Sequence, residues 1–131
     1  MILILDSQNS IKSEGKYIEI SQGIRPGGCL FGKRGEDVTA DENISLNNGN
    51  LFVIDGVDNP IERIHCSEWT DGSIITLFAL FSCSLKHMAV EQEEYRPLFL
   101  SGSTDFDMEP NFNISLMYIN GTWHEISRFV A

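Results

Sequence analysis

The chain has 131 residues, of which 42% are hydrophobic and 10% aromatic. This size and apolar content predict a single domain over residues 1–131 with its own core. The formal net charge of -10 would repel a phosphate backbone, whose binding depends on Lys and Arg, so we expect no nucleic-acid partner. The apolar start at residues 2–5 is too short to span a bilayer, and no membrane insertion is expected.

The first third of the chain predicts two strands and a long loop. β-rich runs at 2–5 and 17–20 are candidate strands, which the polar stretch 7–15 connects. Residues 23–35 hold five glycines and a proline, a composition typical of loops and tight corners. Residues 1–48 therefore read as N-terminal strands with a Gly-rich loop.

The middle of the chain predicts three more strands. The runs 50–56 and 60–64 indicate two short strands around a bend, and residues 69–72 a turn. Residues 73–81 are apolar at both the odd and the even positions, which predicts a strand buried on both faces. In a monomer this would be the central strand of a sandwich, whereas in an oligomer one face would lie against a symmetry mate.

The last third predicts a short strand, an acidic loop and a hairpin. The strand occupies 98–102 after the polar stretch 91–96, the loop 103–110, and the hairpin 112–129. Asn120-Gly121 favours a two-residue type I′ turn, which sets Tyr118 opposite Trp123. One hairpin face is then Phe112, Ile114, Leu116 (opposite Glu125), Tyr118, Trp123 and Phe129, and the other Asn113, Ser115, Met117, His124 and Arg128. The fold class is all-β, a compact β-sandwich or β-helix-capping domain.

Five segments in order carry a resemblance to known proteins: GNLFVIDG, IERI, WTDGSIITLFALF, LFLSG and NISLMYINGTWHEISR. Together they span roughly residues 49 to 128 and resemble the C-terminal domain of bacteriophage tailspike and tail-fibre-like β-helix proteins. The insertion CSLKHMAVEQEEYRP departs from that pattern, and residues 1–48 match none of it.

The resemblance implies a structural protein of the phage tail, made in the bacterial cytoplasm and located in the virion. It implies a homotrimer that caps a fibre or spike and attaches to the host through a surface polysaccharide. It carries over no enzyme activity and no cofactor. The alternatives are a monomeric carbohydrate-binding β-sandwich and a small glycan hydrolase.

Two sets of side chains are candidates for these contacts. The subunit-interface candidates are Ile74, Phe78, Leu80 and Met117, on strands whose second face needs a cover. Trp69, expected to be exposed beside its turn, and Tyr95 are the glycan-contact candidates, because flat rings with a polar edge stack on sugars.

No catalytic or metal site is predicted. Cys83 and His87 form one close pair, and the neighbours His65 and Cys66 do not supply the second pair that a structural zinc site needs. The carboxylates cluster in two stretches, Glu91, Glu93 and Glu94, and Asp105, Asp107 and Glu109. We interpret both as solvated acidic loops, with Ca²⁺ binding at the second as the alternative.

Overall fold

The computed structural model describes residues 32–131 and, from residues 1–31, the strands β1 (Lys12–Glu14) and β2 (Tyr17–Glu19). Residues 1–31 and 32–131 form two compact units, and the prediction of one domain stays a prediction. β1 and β2 pair antiparallel, so the strand predicted at 17–20 is confirmed. The stretch 7–15 was predicted to be a connection without a strand, and this is wrong at Lys12–Glu14, where β1 lies. The strand predicted at 2–5 and residues 23–31 of the loop lie outside the described residues.

The second unit is built from ten short strands and one 3₁₀ turn. The all-β prediction is confirmed. Among the described residues, no helix is long and apolar enough to cross a membrane. The strands are β3 (Val38–Ala40), β4 (Asn43–Ile44), β5 (Leu51–Val57), β6 (Arg63–His65), β7 (Ile74–Ala79), β8 (Cys83–Leu85), β9 (Tyr95–Phe99), β10 (Phe106–Met108), β11 (Asn113–Ile119) and β12 (Thr122–Phe129), with the 3₁₀ turn at Ser101–Ser103.

Eight of these strands form one sheet in the order β3-β5-β7-β11-β12-β9-β6-β4. Its two edge strands, β3 and β4, are consecutive in the chain, so the sheet nearly closes on itself in the manner of a barrel. β4 and β6 pair in parallel, as do β9 and β12. β8 and β10 form a separate antiparallel pair.

The core fills the inside of this sheet. Trp123 is fully buried, and its indole Nε1 donates a hydrogen bond of 3.3 Å to the carbonyl oxygen of Ile64. This bond satisfies the one polar atom of the largest core side chain. The other large, fully buried side chains are Phe52, Ile54, Ile61, Ile64, Ile75, Leu77, Leu85, Leu98, Leu100, Met108 and Ile114.

β7 is buried on one face only, so the prediction of two buried faces is wrong for the single chain. Ile75, Leu77 and Ala79 point into the core, whereas Ile74 is 43% exposed and Phe78 half-buried. The sheet wraps around one core, and within residues 32–131 no second sheet covers the outside of β7. The described residues therefore do not form the sandwich in which this strand would lie between two sheets.

The polar stretches contain more strand than their composition predicts. β9 begins at Tyr95 rather than at residue 98, and β6 spans Arg63–His65 rather than 60–64. β10 lies inside the acidic loop predicted at 103–110, because Phe106 and Met108 point into the core while Asp107 points out. Its partner β8 lies in the CSLKHMAVEQEEYRP segment. Alternation over three residues is too short to predict a strand.

The turn of the terminal hairpin is as predicted. Asn120 and Gly121 have φ angles of 52° and 79°, both in the left-handed region that a type I′ turn requires. Tyr118 lies opposite Trp123, as the two-residue loop dictates.

Farther from the turn, a β-bulge between Ser115 and Leu116 changes the register. Beyond it Ile114 pairs with Arg128, and Asn113 pairs with Phe129. Because directly opposed residues share a face, Arg128 lies on the core side and Phe129 on the outside, where it is 53% exposed. The predicted faces are therefore wrong for these two residues.

Candidate functional site

A small pocket lies where β4 and β6 end. These strands are parallel neighbours, so the segments that follow them leave the sheet at the same end. Residues 45–47 follow β4, and residues 66–69 follow β6. The cavity between them has a volume of about 190 Å³ and is lined by Ser45, Leu46, Asn47, His65, Ser67, Glu68 and Trp69.

His65 connects two polar side chains at the rim of this pocket. Its Nε2 lies 2.9 Å from Oε2 of Glu94, and its Nδ1 lies 2.9 Å from Oγ of Ser67. A carboxylate only accepts hydrogen bonds, so Nε2 carries the proton and Nδ1 accepts the bond from the Ser67 hydroxyl. The three residues form a hydrogen-bonded Ser-His-Glu chain.

The backbone holds Glu94 and His65 together. β6 and β9 are antiparallel with His65 opposite Tyr95, and the Cys66 N–H donates to the Glu94 carbonyl oxygen at 2.8 Å. A tight turn closed by mutual bonds between Gln92 and Tyr95 projects Glu94 beside the imidazole. The Tyr95 ring meets the imidazole edge-on at 4.9 Å and restrains its orientation.

The two glycan-contact candidates lie around this one pocket. Trp69 lines it, but the ring is half-buried, with its centroid 5.9 Å from that of Trp123 and 6.4 Å from that of Phe52. The expectation of an exposed Trp69 is therefore wrong, because the segment after β6 folds back onto the core. Tyr95 reaches the pocket through its contact with His65. Glycan contact by either residue stays a prediction.

The second feature is the outer face of the eight-stranded sheet, the side away from the core. Ile74 pairs with Met117, Met117 with His124, and His124 with Phe99, so these four residues form one row across β7, β11, β12 and β9. We call them the apolar row. The Phe99 and His124 rings stack at 5.5 Å, and the His87 ring meets Phe99 edge-on at 5.1 Å.

Two further rows run beside the apolar row. The middle row holds hydroxyl groups, and Thr76 and Ser115 are hydrogen-bonded at 2.8 Å. The middle row is Leu51, Thr76, Ser115 and Ser127, and the far row is Val53, Phe78, Asn113 and Phe129. None of these positions holds Asp, Glu, Lys or Arg.

Three of the four interface candidates lie on the outer face. Ile74 and Met117 are neighbours in the apolar row, and Phe78 lies in the far row. Leu80 follows the end of β7 and is 45% exposed. A subunit interface at these residues stays a prediction.

The described cysteines do not resemble a thiol active site. Cys83 is 5% exposed, and burial raises its pKa to about 11, which keeps the thiol protonated. The pKa of the Tyr118 phenol is raised, first by burial and second by the neighbouring Cys66 side chain. Cys29 lies outside the described residues.

The acidic loop is organised by hydrogen bonds within the chain. Asp105 accepts a bond of 2.8 Å from the His87 backbone N–H, which together with Lys86 lowers the pKa of that carboxyl. Asp107 accepts a bond of 2.6 Å from the Ser84 hydroxyl. Within residues 32–131, no three His, Cys, Asp or Glu side chains are grouped to hold a metal ion.

Sequence reasoning missed the role of Ser67 and placed Glu94 in a solvated loop. The spacing of His65 and Ser67 is visible in the sequence, but Glu94 lies 29 positions from His65. Only the pairing of β6 with β9 brings the carboxylate to the imidazole. No protein-family model, curated protein or solved structure matches this chain.

Proposed function

We propose that this chain is a homotrimeric structural module that caps a bacteriophage tail fibre or tailspike, with its outer sheet face buried between subunits. The observation that carries the proposal is the apolar row. Ile74 and Phe99 are each 43% exposed, and they lie in one row with Met117 and His124. Exposed apolar side chains that lie together on one face are typical of association sites, and this row therefore supports one here.

The charge distribution favours another copy of this chain as the occupant. A net charge of -10 makes copies repel each other over most of the surface. The three rows of the outer face carry no Asp, Glu, Lys or Arg, so two copies can approach there without opposing carboxylates. A strongly basic partner would instead favour the acidic surface elsewhere.

The resemblance of residues 49–128 to tailspike ends supports the trimer and the place in the virion. It also supports contact with a bacterial surface polysaccharide. Within the described residues, the pocket beside Trp69 combines an aromatic wall with hydroxyl, amide and imidazole groups. Such a combination suits a sugar ring with its polar edge.

Light scattering on the intact chain tests the subunit association. The expected mass at micromolar concentration is three times the 14.7 kDa of one chain. Ile74→Asp and Phe129→Asp should each give a monomer, because they place a carboxylate in a desolvated contact. The matched control is Val90→Asp, since Val90 is 79% exposed and lies outside the three rows. A monomeric wild type, or a dimer, contradicts the proposed trimer.

A glycan array tests the surface contact. Binding should be lost in Tyr95→Ala, which removes a ring beside the pocket, and kept in Phe81→Ala, which removes a 52% exposed ring elsewhere. Equal binding by both variants contradicts a contact at the pocket.

A further inference from the structure

We propose that Ser67, His65 and Glu94 form a hydrolytic site for small acyl esters, with Ser67 as the nucleophile. The inference rests on the hydrogen-bonded chain at the pocket and is independent of subunit association. A serine hydroxyl is a weak nucleophile until an adjacent base accepts its proton. In this site the base is within hydrogen-bond distance of the hydroxyl, and an acid group orients the base on its other side.

The tautomer of His65 is the one this chemistry requires. Glu94 accepts the hydrogen bond from Nε2–H and thereby leaves the Nδ1 lone pair facing Ser67. The backbone N–H of Ser67 also points at Nδ1, at 3.4 Å, and keeps the serine beside the ring. The roles of the two ring nitrogens are reversed relative to the usual serine-protease arrangement, but the order of donor and acceptor is the same.

The site is accessible on one side and anchored on the other. Ser67 is exposed, whereas the His65 side chain is only 22% exposed and packs against Tyr95. A substrate can therefore reach the hydroxyl while the imidazole keeps its orientation. Glu94 is 63% exposed and acts through His65, so it is a positioning residue.

The pocket limits the substrate to a short acyl group. Its volume of about 190 Å³ is below the range of roughly 300–1,000 Å³ that holds drug-sized ligands. The Trp69 ring gives the acyl chain an apolar wall. Asn47 lines the same pocket, and we assign its side-chain amide as the N–H donor for the carbonyl oxygen.

The reaction balances with water as the only co-reactant. Ser67 Oγ forms a bond to the acyl carbon as its proton moves to His65 Nδ1. The ester C–O bond then breaks, and the leaving alcohol takes that proton. Water attacks the acyl-serine, passes a proton to Nδ1, and releases the carboxylic acid as Ser67 recovers its hydrogen.

Covalent labelling of the intact chain tests the nucleophile directly. A fluorophosphonate probe should add one phosphonyl group, which peptide mass spectrometry should locate on Ser67. Ser67→Ala should abolish the adduct. Ser82→Ala is the matched control, because Ser82 is also exposed but is not bonded to a histidine. Absence of an adduct on Ser67 in folded wild-type protein overturns the proposal.

Turnover of p-nitrophenyl acetate tests the chemistry. Ser67→Ala should lower the rate by on the order of 100-fold, with circular dichroism unchanged. Glu94→Gln should lower kcat with KM unchanged, because it disturbs the tautomer and not the pocket, while Glu93→Gln should match wild type. The longer p-nitrophenyl octanoate should react more slowly. Equal acetate turnover in Ser67→Ala and Ser82→Ala overturns the proposal, as does equal kcat in Glu94→Gln and wild type.

Discussion

Arg128 binds Glu125 through two N–H···O bonds of 2.6 Å, from Nε and Nη2 to the two carboxylate oxygens. The same guanidinium lies 3.8 Å from the centre of the Phe106 ring. The bulge in the hairpin makes this arrangement possible, because it turns Arg128 to the core side. The Arg128 pair therefore connects β12 to the segment that carries β10.

Loss of Arg128 should destabilise the fold measurably. Arg128→Ala leaves a carboxylate that is only 5% exposed without its cation, at a cost of about 2 kcal/mol in the free energy of unfolding. The matched control is Arg34→Ala, which removes an exposed pair of the same i,i+3 spacing with Asp37 and should cost about 0.5 kcal/mol. Urea unfolding measures both. Equal losses would show that the Arg128 pair adds nothing beyond a surface contact.

The Glu125 carboxyl should make stability depend on pH. Burial alone would raise the pKa of Glu125, but the bonds from Arg128 and from the Ser101 N–H outweigh it and hold the pKa below its ordinary value. A carboxyl with a lowered folded pKa stabilises the fold above its unfolded pKa and loses this effect as pH falls through the folded pKa.

Glu125→Gln should therefore unfold at a lower temperature than wild type at neutral pH. The gap should narrow as the pH falls from neutrality through the lowered folded pKa of Glu125, because the wild-type carboxyl then becomes neutral as well. Thermal unfolding followed by circular dichroism measures the gap. A gap that does not narrow speaks against this source of stability.

The backbone conformation of Lys33–Gly35 should depend on the absence of a side chain at Gly49. A Cβ atom there would lie 2.4 Å from both the Gly35 nitrogen and the Lys33 carbonyl oxygen. Gly49→Ala should therefore displace backbone and cost about 2 kcal/mol. Gly72→Ala is the control: its Cβ would contact nothing, so only its positive φ is penalised, at about 1 kcal/mol. Urea unfolding measures both losses. A larger loss in the free energy of unfolding for Gly72→Ala than for Gly49→Ala would contradict the prediction.

Cys83 should be protected from alkylation in the folded protein. Its burial and its pKa of about 11 leave little thiolate at neutral pH. Iodoacetamide followed by peptide mass spectrometry should show Cys83 unmodified in buffer and modified in denaturant. Rapid labelling of Cys83 in buffer would show that β8 opens readily from its partner.

The predictions that succeeded concern local structure. A two-residue loop allows one register next to the turn, so Asn120 and Gly121 were sufficient to pair Tyr118 with Trp123. The runs 50–56 and 73–81 correspond to β5 and β7. Each is a mostly apolar run bounded by turn residues, which is the pattern that predicts a strand.

The predictions that failed concern neighbours distant in sequence. The bulge opposite Ser115 reversed the faces of Arg128 and Phe129, and no residue in β12 signals it. β10 was predicted to be an acidic loop because its local sequence is acidic. Its Phe106 and Met108 are buried through pairing with β8, about 20 residues earlier in the chain, and the local sequence does not show this pairing.

The turn of the terminal hairpin and the all-β class were determined by the sequence alone, because turn chemistry and short-range alternation are properties of neighbouring residues. The tertiary structure alone decided that β7 keeps one face exposed, and that Ser67, His65 and Glu94 meet. Those outcomes depend on which strands pair. Strand pairing is decided by burial summed over the whole sheet rather than by any single segment.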